Sequence, residues 1–457
     1  MYNHTTRRRV FLEIRRTLTV AVPLIGAQLL SVSNGLVDAL VAGQLGRAEL
    51  AAGGIAAGIW FFASLSCIGL MGGLSPTLSR LIGQRRRNIV GAVFRQGLWL
   101  AVITGGIATA TALAVAALLP RMSLEAELVP LIRQYLLTAA WSLPAFAIVM
   151  ACRNACEATA LTRPVLIVQV LGLGINILAD LAFGLGWFGF PQFGLMGIGI
   201  ATSVVMITMA AALLFYLSGK RFARYNLLSA FEGPRWADIR PMLVLSIPIY
   251  LTLLFEAGLF VSVSLQMGMI GTIEAGAHYI AIGVTSFCFM LPLGLSFALT
   301  ARMGRVYGRQ SLAAAKLRIV SGLLITVMLA VFTIFTLIVF RYPLISLYTD
   351  DPELIAVAAQ LLLLAALFQL SDGAQVALLG LLRGLQDVRV PMLINAFSYW
   401  AVAFPLGYFS AHRWGYGATG LWWGLIAGLS VSALLLALRL VSRINLYNRQ
   451  GGFAAVP

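Results

Sequence analysis

Charged residues are scarce in this chain. Of its 457 residues only 11% are Asp, Glu, Lys or Arg, whereas 60% are hydrophobic. Because a soluble domain normally has about a quarter of its residues charged, this composition excludes an ordinary soluble protein. The mean hydropathy of +0.92 is typical of a polytopic membrane protein.

Cysteine and histidine are also rare, with four and three residues respectively. All four cysteines lie in or at the ends of apolar stretches, so the sequence indicates no extracellular disulfide framework. Cys152 and Cys156 are four residues apart, but no His or acid completes a metal site beside them, so we interpret them as packing residues. No apolar stretch contains a His/Asp metal cluster or a nucleophile with its base. A membrane-embedded enzyme is therefore a disfavoured alternative, and we expect neither catalytic residues nor an organic cofactor.

Long apolar stretches dominate the rest of the chain. A membrane-spanning helix needs about 20 apolar residues, and a helix is the default because each span must satisfy its own backbone hydrogen bonds. The sequence therefore predicts an all-α polytopic membrane protein with twelve transmembrane helices. The predicted spans are residues 17–45, 49–82, 92–119, 128–152, 164–187, 193–218, 241–269, 274–304, 314–340, 354–382, 390–411 and 415–440.

The basic residues test this set of spans, because Lys and Arg collect at the cytoplasmic ends of membrane helices. With the N-terminus inside, 27 of the 32 basic residues fall on the inner side. This asymmetry predicts twelve spans in the inner membrane with both termini cytoplasmic. The run "GQRRRN" (83–88) lies at an inner helix end. We interpret it as an anchor near anionic lipid rather than a nucleic-acid site, so we expect no nucleic-acid partner.

The two halves of the chain resemble each other. "VAVPLIGAQLL" (20–30) resembles "LSIPIYLTLL" (245–254), and "GLSPTLSRLIG" (73–83) resembles "GLSFALTARMG" (294–304). Six spans per half make the repeat parallel, as in transporters that move a solute by rocking one lobe against the other. The sequence predicts a six-helix N-terminal lobe (1–217), a cytoplasmic linker (218–240) and a six-helix C-terminal lobe (241–457). This repeat also disfavours a passive channel.

Four of the sixteen acidic residues lie inside predicted spans: Asp38, Asp180, Glu256 and Asp372. A carboxylate at bilayer depth costs about 2.5–3.5 kcal/mol on insertion scales, and no Lys or Arg lies near the middle of any span to compensate it. Since a low dielectric disfavours the charged form, these acids are poised to take up a proton, a metal ion or an organic cation. Polar contacts between helices are the alternative interpretation.

The acids of the first half have polar neighbours at helical spacing. "NGLVD" (34–38) places Asn34 one turn from Asp38, and "NILAD" (176–180) places Asn176 one turn from Asp180. Carboxylate and amide oxygens are ligands for a small hard cation, and they equally hold a proton in a hydrogen-bonded network. The pattern therefore indicates a cation or proton site.

The second half has a different polar set. Thr252 and Glu256 share one helical face, as do Gln369, Asp372 and Gln375 at intervals of three residues. Aligning the repeats does not place acid over acid between the two halves. We therefore expect the two lobes to have different roles.

Several of these motifs resemble those of a known family. "VPLIGAQLLSVSNGLVDALVAGQLG", "GINILADLAFGLG", "FEAGLF" and "FQLSDGAQVALLGLLRGLQDVRVPMLINAFSYWAVAFPLGY" look like the multidrug and toxic compound extrusion (MATE) family, specifically its NorM-like branch. The similarity extends from about residue 15 to 443. It implies a twelve-helix antiporter that exports organic cations in exchange for Na⁺ or H⁺.

The resemblance also implies roles for individual residues. One departure from the family pattern is Asp180, where many NorM-like members have Asn, so this lobe has an additional titratable group. Four positions match the family's N-terminal cation or proton site: Asp38, Asn176, Asp180 and Thr202. Two positions match the C-terminal acid pair of the NorM-like branch: Glu256 and Asp372.

We predict that the N-terminal set dominates ion coupling. Glu256, Asp372 and Gln369 are the predicted site for the organic cation or a second ion, and Na⁺ is the metal expected at either set. The expected partners are organic cations and the lipid bilayer, and the expected assembly is a monomer. The alternative transport function, a flippase for a lipid-linked precursor, would require basic residues in the cleft to bind pyrophosphate, and the sequence shows none.

Overall fold

The structure is a computed structural model that describes residues 4–122, 125–228, 230 and 232–450. Every regular element among these residues is helical. In this part of the chain, eleven helices are long and apolar enough to cross a membrane, and the pair Leu128–Ala139 and Ser142–Thr159, bent by 45°, makes a twelfth span. The predicted all-α polytopic fold with twelve spans is therefore confirmed.

Eight α-helices occur among the described residues of the first half of the chain. A π-helical turn at Asp180–Gly184 follows the seventh of them. The helices are α1 (His4–Leu45), α2 (Arg47–Met71), α3 (Leu74–Gly83), α4 (Arg87–Leu118), α5 (Leu128–Ala139), α6 (Ser142–Thr159), α7 (Arg163–Ala179) and α8 (Leu195–Leu217).

The second predicted span is broken between α2 and α3, at Gly72 and Gly73. The backbone N–H of Gly73 donates a hydrogen bond to Ser246 Oγ at 3.1 Å. A Cβ atom at Gly73 would lie only 2.5 Å from that oxygen. Glycine is therefore required here for close approach of two helices rather than for a turn out of the membrane.

The second half, as far as the structure describes it (to residue 450), again contains eight α-helices and one π-helical segment, Ser398–Ala403. The helices are α9 (Trp236–Ile270), α10 (Thr272–Arg309), α11 (Leu312–Val339), α12 (Arg341–Ile345), α13 (Pro352–Gly384), α14 (Arg389–Phe397), α15 (Phe404–His412) and α16 (Gly417–Gln450).

The predicted linker, 218–240, is shorter in the structure because α9 begins at Trp236. Its last residues are held against α4. Gln96 Nε2 donates to the carbonyl oxygen of Gly233 at 3.0 Å, and Gln96 Oε1 accepts from the backbone N–H of Arg235 at 2.7 Å. These hydrogen bonds hold the end of the linker against α4, and α9 begins at Trp236, before the predicted span that starts at residue 241.

Packing divides the chain into two compact units at positions different from the predicted lobe boundaries. The N-terminal unit is Gly26–Tyr250, and the C-terminal unit comprises the chain up to Ile25 together with the chain from Leu251 onwards. Both divisions fall inside helices, α1 and α9. A helix of 42 residues is about 63 Å long, twice the ~30 Å hydrocarbon thickness. Its two parts can therefore pack in different units.

In the N-terminal unit, α6 packs against α4 and α8, and α5 packs against α2 and α8. Its core includes Ile132, Leu136 and Leu195. In the C-terminal unit, α13 packs against α10, α11 and α16. The core there includes Phe368 and Trp422, whose ring centroids are 5.9 Å apart in an edge-to-face arrangement. Each unit therefore has its own apolar core.

Candidate functional site

The N-terminal unit brings three of the predicted site residues into direct contact. Asn176 on α7 donates one hydrogen bond to Asp38 Oδ1 at 2.9 Å and another to Asp180 Oδ2 at 3.2 Å. Asp180 and Asn176 are buried, with 0% and 2% of their surface exposed, whereas Asp38 on α1 is half-buried. The single amide group therefore links both carboxyl groups.

The carboxyl groups of Asp38 and Asp180, both bound to the Asn176 amide, also interact with each other electrostatically. Two neighbouring ionised carboxylates repel each other, whereas a proton can be shared between them. The arrangement of Asp38 and Asp180 therefore fits a bound proton or a cation between them. Asp180 is the first residue of the π-helical turn, a local distortion that is frequent at functional sites.

Three oxygen atoms around this pair are buried and have no hydrogen-bond partner among the described residues. They are Asn34 Oδ1, Asn176 Oδ1 and Asp180 Oδ1. Leaving a buried polar atom without a partner costs about 1–3 kcal/mol, so such a cluster indicates a site that a ligand completes. An all-oxygen set of amides and carboxylates fits Na⁺. Within the described parts of the chain, no group of three or more His, Cys, Asp or Glu side chains that could hold a metal ion occurs.

Thr202, the fourth predicted residue, belongs to a second layer of this site. It lies on α8, is 8% exposed, and donates its hydroxyl hydrogen to the carbonyl oxygen of Ile198 at 3.0 Å. Its hydroxyl oxygen is hydrogen-bonded to Tyr135 on α5. We refer to Asp38, Asn176, Asp180, Thr202 and Tyr135 as the N-terminal acid cluster.

No pattern in the sequence predicts Tyr135 as a member of this cluster. It is 4% exposed and interacts electrostatically with both Asp38 and Asp180. No acid lies on its own helix, so its pattern in the sequence is that of an ordinary packing aromatic. Its role becomes visible only when α5 is packed against the other helices.

The acids of the C-terminal unit form a second site. Asp372 on α13 is 3% exposed, Glu256 on α9 is half-buried, and the two interact electrostatically. No ion pair of Glu256 or Asp372 with a Lys or Arg occurs among the described residues, although the charge of Arg383, in the last turn of α13, acts on Glu256 electrostatically.

The structure distinguishes the glutamines that share a face with Asp372. Gln369 is 1% exposed and donates its amide hydrogen to the carbonyl oxygen of Thr285 at 3.1 Å, which joins α13 to α10. Gln375 is fully buried, donates its amide hydrogen to Tyr399 Oη, and has an Oε1 atom without a partner among the described residues. A role of Gln369 in ligand binding stays a prediction.

The aromatic residues near these acids pack in different ways. Phe368 is 2% exposed and belongs to the apolar core with Trp422 and Phe260. Trp400 is 41% exposed, and its ring lies 5.8 Å from that of Phe404. Phe368 therefore serves mainly as a core residue, whereas Trp400 has a free surface.

Buried acid pairs in two helical units define the class of protein. Ionisable groups inside membrane-spanning segments mark the path of an ion or substrate, and two parallel six-span repeats are an architecture of secondary transporters. The family model MatE matches residues 23–182 and 248–409, and so covers most of both halves. The chain belongs to the MatE family, and the resemblance inferred from the motifs is confirmed.

Curated relatives match almost end to end. "Probable multidrug resistance protein NorM" of Xanthomonas campestris pv. campestris is 37% identical over 431 residues, which is 93% of each chain. The protein of the same name from Shewanella oneidensis is 35% identical over 94% of each chain. "Multidrug resistance protein NorM" of Photobacterium profundum is 33% identical over 96% of each chain.

Solved structures share the fold at lower sequence identity. A MATE protein in complex with MaD3S superposes with a TM-score of 0.88 at 19% identity, covering 96% of this chain and 97% of the other. The eukaryotic MATE transporter AtDTX14 superposes with a TM-score of 0.85 at 18% identity, covering 95% and 96%. The fold of the chain is therefore that of MATE transporters.

Proposed function

We propose that this protein is a secondary antiporter that exports organic cations in exchange for Na⁺ or H⁺. The relatives described above are named as multidrug resistance proteins, which supports a broad range of small-molecule substrates. We also propose that the chain resides in the inner membrane with both termini in the cytoplasm, because 27 of its 32 basic residues then lie on the cytoplasmic side.

The N-terminal acid cluster supports the proposed coupling of export to Na⁺ or H⁺. Asn176 joins Asp38 and Asp180, and oxygen atoms of Asn34, Asn176 and Asp180 are buried without partners among the described residues. A proton shared between the carboxyl groups, or a Na⁺ ion held by the oxygens, would satisfy them. Either cation makes the net charge of the pair less negative by one unit, so its binding and release alter the charge of the unit.

The C-terminal acid pair, Glu256 and Asp372, supports the proposed binding of an organic cation. Glu256 is half-buried and Asp372 is almost fully buried, and the two acids interact electrostatically. Phe255 and Phe260 lie close to Glu256 along α9 and pack against the apolar core of the unit. Such side chains suit a lipophilic cation better than a strongly hydrated one. We therefore assign this pair to organic-cation binding.

Antiport follows if the two ligands exclude each other energetically. Binding of the coupling cation and of the organic cation must each lower the affinity for the other, and this coupling is reciprocal. Alternating access then converts a gradient of the coupling ion into export of the drug. No group-transfer chemistry is required of any residue in this scheme.

The decisive experiment is efflux of a fluorescent organic cation such as ethidium from proteoliposomes under separately imposed gradients. One preparation receives a sodium gradient at equal pH, and a second receives a pH gradient in sodium-free buffer. We expect one gradient to drive efflux and an ionophore that collapses it to stop efflux. Equal efflux with both gradients collapsed would refute antiport, because it would show passive flux.

A further inference from the structure

The π-helical turn that begins with Asp180 is tied at both ends by backbone hydrogen bonds. The N–H of Leu185 donates to the carbonyl oxygen of Asp180, five residues earlier, at 3.3 Å, which is the pairing that defines a π-helix. The carbonyl oxygen of Phe183 accepts from the N–H of Phe193 at 3.0 Å. The turn is therefore fixed to the segment that leads into α8.

Gly197 on α8 makes room for the backbone of this turn. A Cβ atom at Gly197 would come within 3.0 Å of the carbonyl oxygen of Phe183 and would lie 2.8 Å from the nitrogen of Gly184. Cβ atoms essentially never approach other atoms within 3.0 Å. Because both neighbours are backbone atoms, they cannot rotate away as the end of a side chain can. Any side chain at position 197 would therefore push the π-helical turn away from α8.

Gly184, within the turn, makes a second close approach. A Cβ atom there would lie 3.1 Å from Val41 Cγ1 on α1 and 3.4 Å from Ile198 Cγ1 on α8. Val41 follows Asp38 by three residues, so both lie on one side of α1. The size of residue 184 therefore sets how closely the π-helical turn approaches the part of α1 that carries Asp38.

These two contacts bear directly on the N-terminal acid cluster. The bond from Asn176 to Asp180 Oδ2 is 3.2 Å long, at the upper end of the usual range of about 2.7–3.2 Å. A displaced turn would break this bond while leaving the 2.9 Å bond from Asn176 to Asp38 on α1. Asp180 Oδ1 is buried without a partner among the described residues, so the position of the turn decides where this oxygen meets a cation.

The C-terminal unit shows the same packing. Its π-helical segment, Ser398–Ala403, lies against Gly428 of α16, where a Cβ atom would lie 2.8 Å from the carbonyl oxygen of Ser398. In both halves the glycine belongs to the membrane span that follows the π-helical segment. The close approach is therefore a feature of the internal repeat.

We propose that Gly184 and Gly197 are positioning residues of the coupling-cation site. They allow the π-helical turn to lie against α1 and α8, and thereby hold the Asp180 carboxyl group against Asn176. This inference rests on the proposed coupling role of the N-terminal acid cluster. Since a binding site must be held within about 0.5 Å of its productive geometry, the two glycines set the affinity for the coupling cation without touching it.

The test is ethidium efflux from proteoliposomes, titrated with Na⁺ at constant pH and with H⁺ in sodium-free buffer. Gly197→Ala should raise the concentration of the coupling cation needed for half-maximal efflux by about tenfold or more, because small misplacements in a site have effects of this size. Equilibrium ethidium binding without a gradient should stay within about threefold of wild type, since it is assigned to the C-terminal pair. A merely structural role would not separate these two quantities.

Gly184→Ala provides a milder second variant. Its Cβ atom would press on Val41 Cγ1 at 3.1 Å, so the protein should fold and show a smaller shift in the same direction. In a Val41→Ala background, which lacks that methyl group, Gly184→Ala should have little effect, as a double-mutant cycle would reveal. This comparison tests the inference even if Gly197→Ala does not fold.

Two other glycines of the same unit serve as controls. A Cβ atom at Gly105 on α4 would come within 3.0 Å of Pro144 Cα, outside the acid cluster. Gly105→Ala should therefore lower the thermal unfolding midpoint but leave the half-maximal cation concentration unchanged. Gly174 lies on α7 two residues before Asn176, and a Cβ atom there would meet open space. Gly174→Ala should change neither quantity.

The outcomes separate the two proposals. Unchanged cation dependence in folded Gly197→Ala and Gly184→Ala, together with an altered dependence in Asp180→Asn, would overturn the positioning role and leave the proposed function standing. An equal shift in Gly105→Ala would also overturn it, because the effect would then follow stability. Unchanged dependence in Asp180→Asn would refute the coupling role of the cluster and this inference with it. Shifts in both positioning variants, absent from both controls, support the inference.

Discussion

Arg302 donates a hydrogen bond to Glu13, which lies 289 residues earlier in the chain. Both side chains are buried, with Glu13 5% and Arg302 9% exposed, and Arg318 Nε also binds Glu13 Oε1 at 3.0 Å. This cluster ties the first turns of α1 to α10 and α11 within the C-terminal unit. Two arginines therefore depend on a single carboxylate.

Replacing Glu13 by Gln should destabilise the protein strongly. Removing one partner of a buried ion pair leaves uncompensated charge, which costs about 3 kcal/mol. The measurement is the thermal unfolding midpoint of purified protein. Arg16→Gln is the control, because the Arg16 side chain is 70% exposed and lies 3.8 Å from Glu13, so its effect should stay within about 0.5 kcal/mol. Equal stabilities of the two variants would contradict the role of Glu13.

Asp38→Asn should abolish gradient-driven export while the protein still folds and inserts. The substitution removes a charge that is costly to insert but also removes a proton- or cation-binding carboxylate from the pair with Asp180. The measurement is resistance of cells to a cationic dye, with protein level checked in isolated membranes. Asp350→Asn, at an exposed position outside the predicted spans, should retain export. Wild-type resistance of Asp38→Asn would make Asp38 a structural residue.

The division of roles between the units can be tested by comparing binding with transport. Glu256→Gln and Asp372→Asn should each weaken equilibrium binding of a cationic dye by about tenfold or more, since a desolvated charge pair is lost. Asp180→Asn should bind dye normally but change the dependence of export on pH or sodium. If the first two variants bind dye normally and lose only ion-driven release, the roles of the two units are reversed.

The membrane topology can be tested with single cysteines. Arg86→Cys and Arg309→Cys, both at exposed positions, should be protected from an impermeant thiol reagent in intact cells, whereas Arg413→Cys should be labelled. Cys67, Cys152 and Cys156 are buried and Cys288 is partly buried, so wild type serves as the background control. Labelling of position 86 from outside would contradict the assignment of spans.

Glu232 provides a pH-dependent prediction outside the membrane. The hydrogen bond from Arg95, together with the charges of Arg95 and Arg235, lowers the pKa of Glu232 despite opposing desolvation. A carboxyl group with a lowered pKa in the folded state adds stability above its unfolded pKa, and this stability is lost as pH falls through the folded value. Glu232→Gln should therefore melt below wild type near neutral pH. The difference should disappear well below the ordinary value of 4.5.

The control for this measurement is Asp238→Asn, at an exposed position in the first turn of α9. As a surface substitution, it should change the melting temperature little near neutral pH. A Glu232→Gln difference that persists undiminished in acid would show that the side chain contributes by packing rather than by charge.

Much of the N-terminal acid cluster was predictable from sequence. Asp38 and Asp180 stand out because a carboxylate in an apolar span is costly, and the four-residue spacing from Asn34 and Asn176 indicates one helical face. The structure adds that a single amide, that of Asn176, serves both acids. That bond joins α1 and α7, and no pattern within one helix reveals which side chains of two helices meet.

The remaining site residues depend on tertiary packing in the same way. Gln369 and Gln375 lie on the same face as Asp372, but only the rotation and neighbours of α13 decide that the first binds a backbone carbonyl and the second binds Tyr399. Tyr135 and Tyr399 are ordinary aromatics in the sequence. Their hydroxyl groups become part of a polar site only through contacts with residues on other helices.

The division of α1 between the two units has a consequence for each half of the gene. A fragment ending at residue 217 contains Glu13 but neither Arg302 nor Arg318, and a fragment beginning at residue 241 contains both arginines without their carboxylate. The same cut removes Ser246 from the hydrogen bond that it accepts from Gly73. Each fragment produced alone therefore lacks partners for its own buried polar groups. When both fragments are produced together, the first supplies Glu13 to the two arginines and the second supplies Ser246 to Gly73.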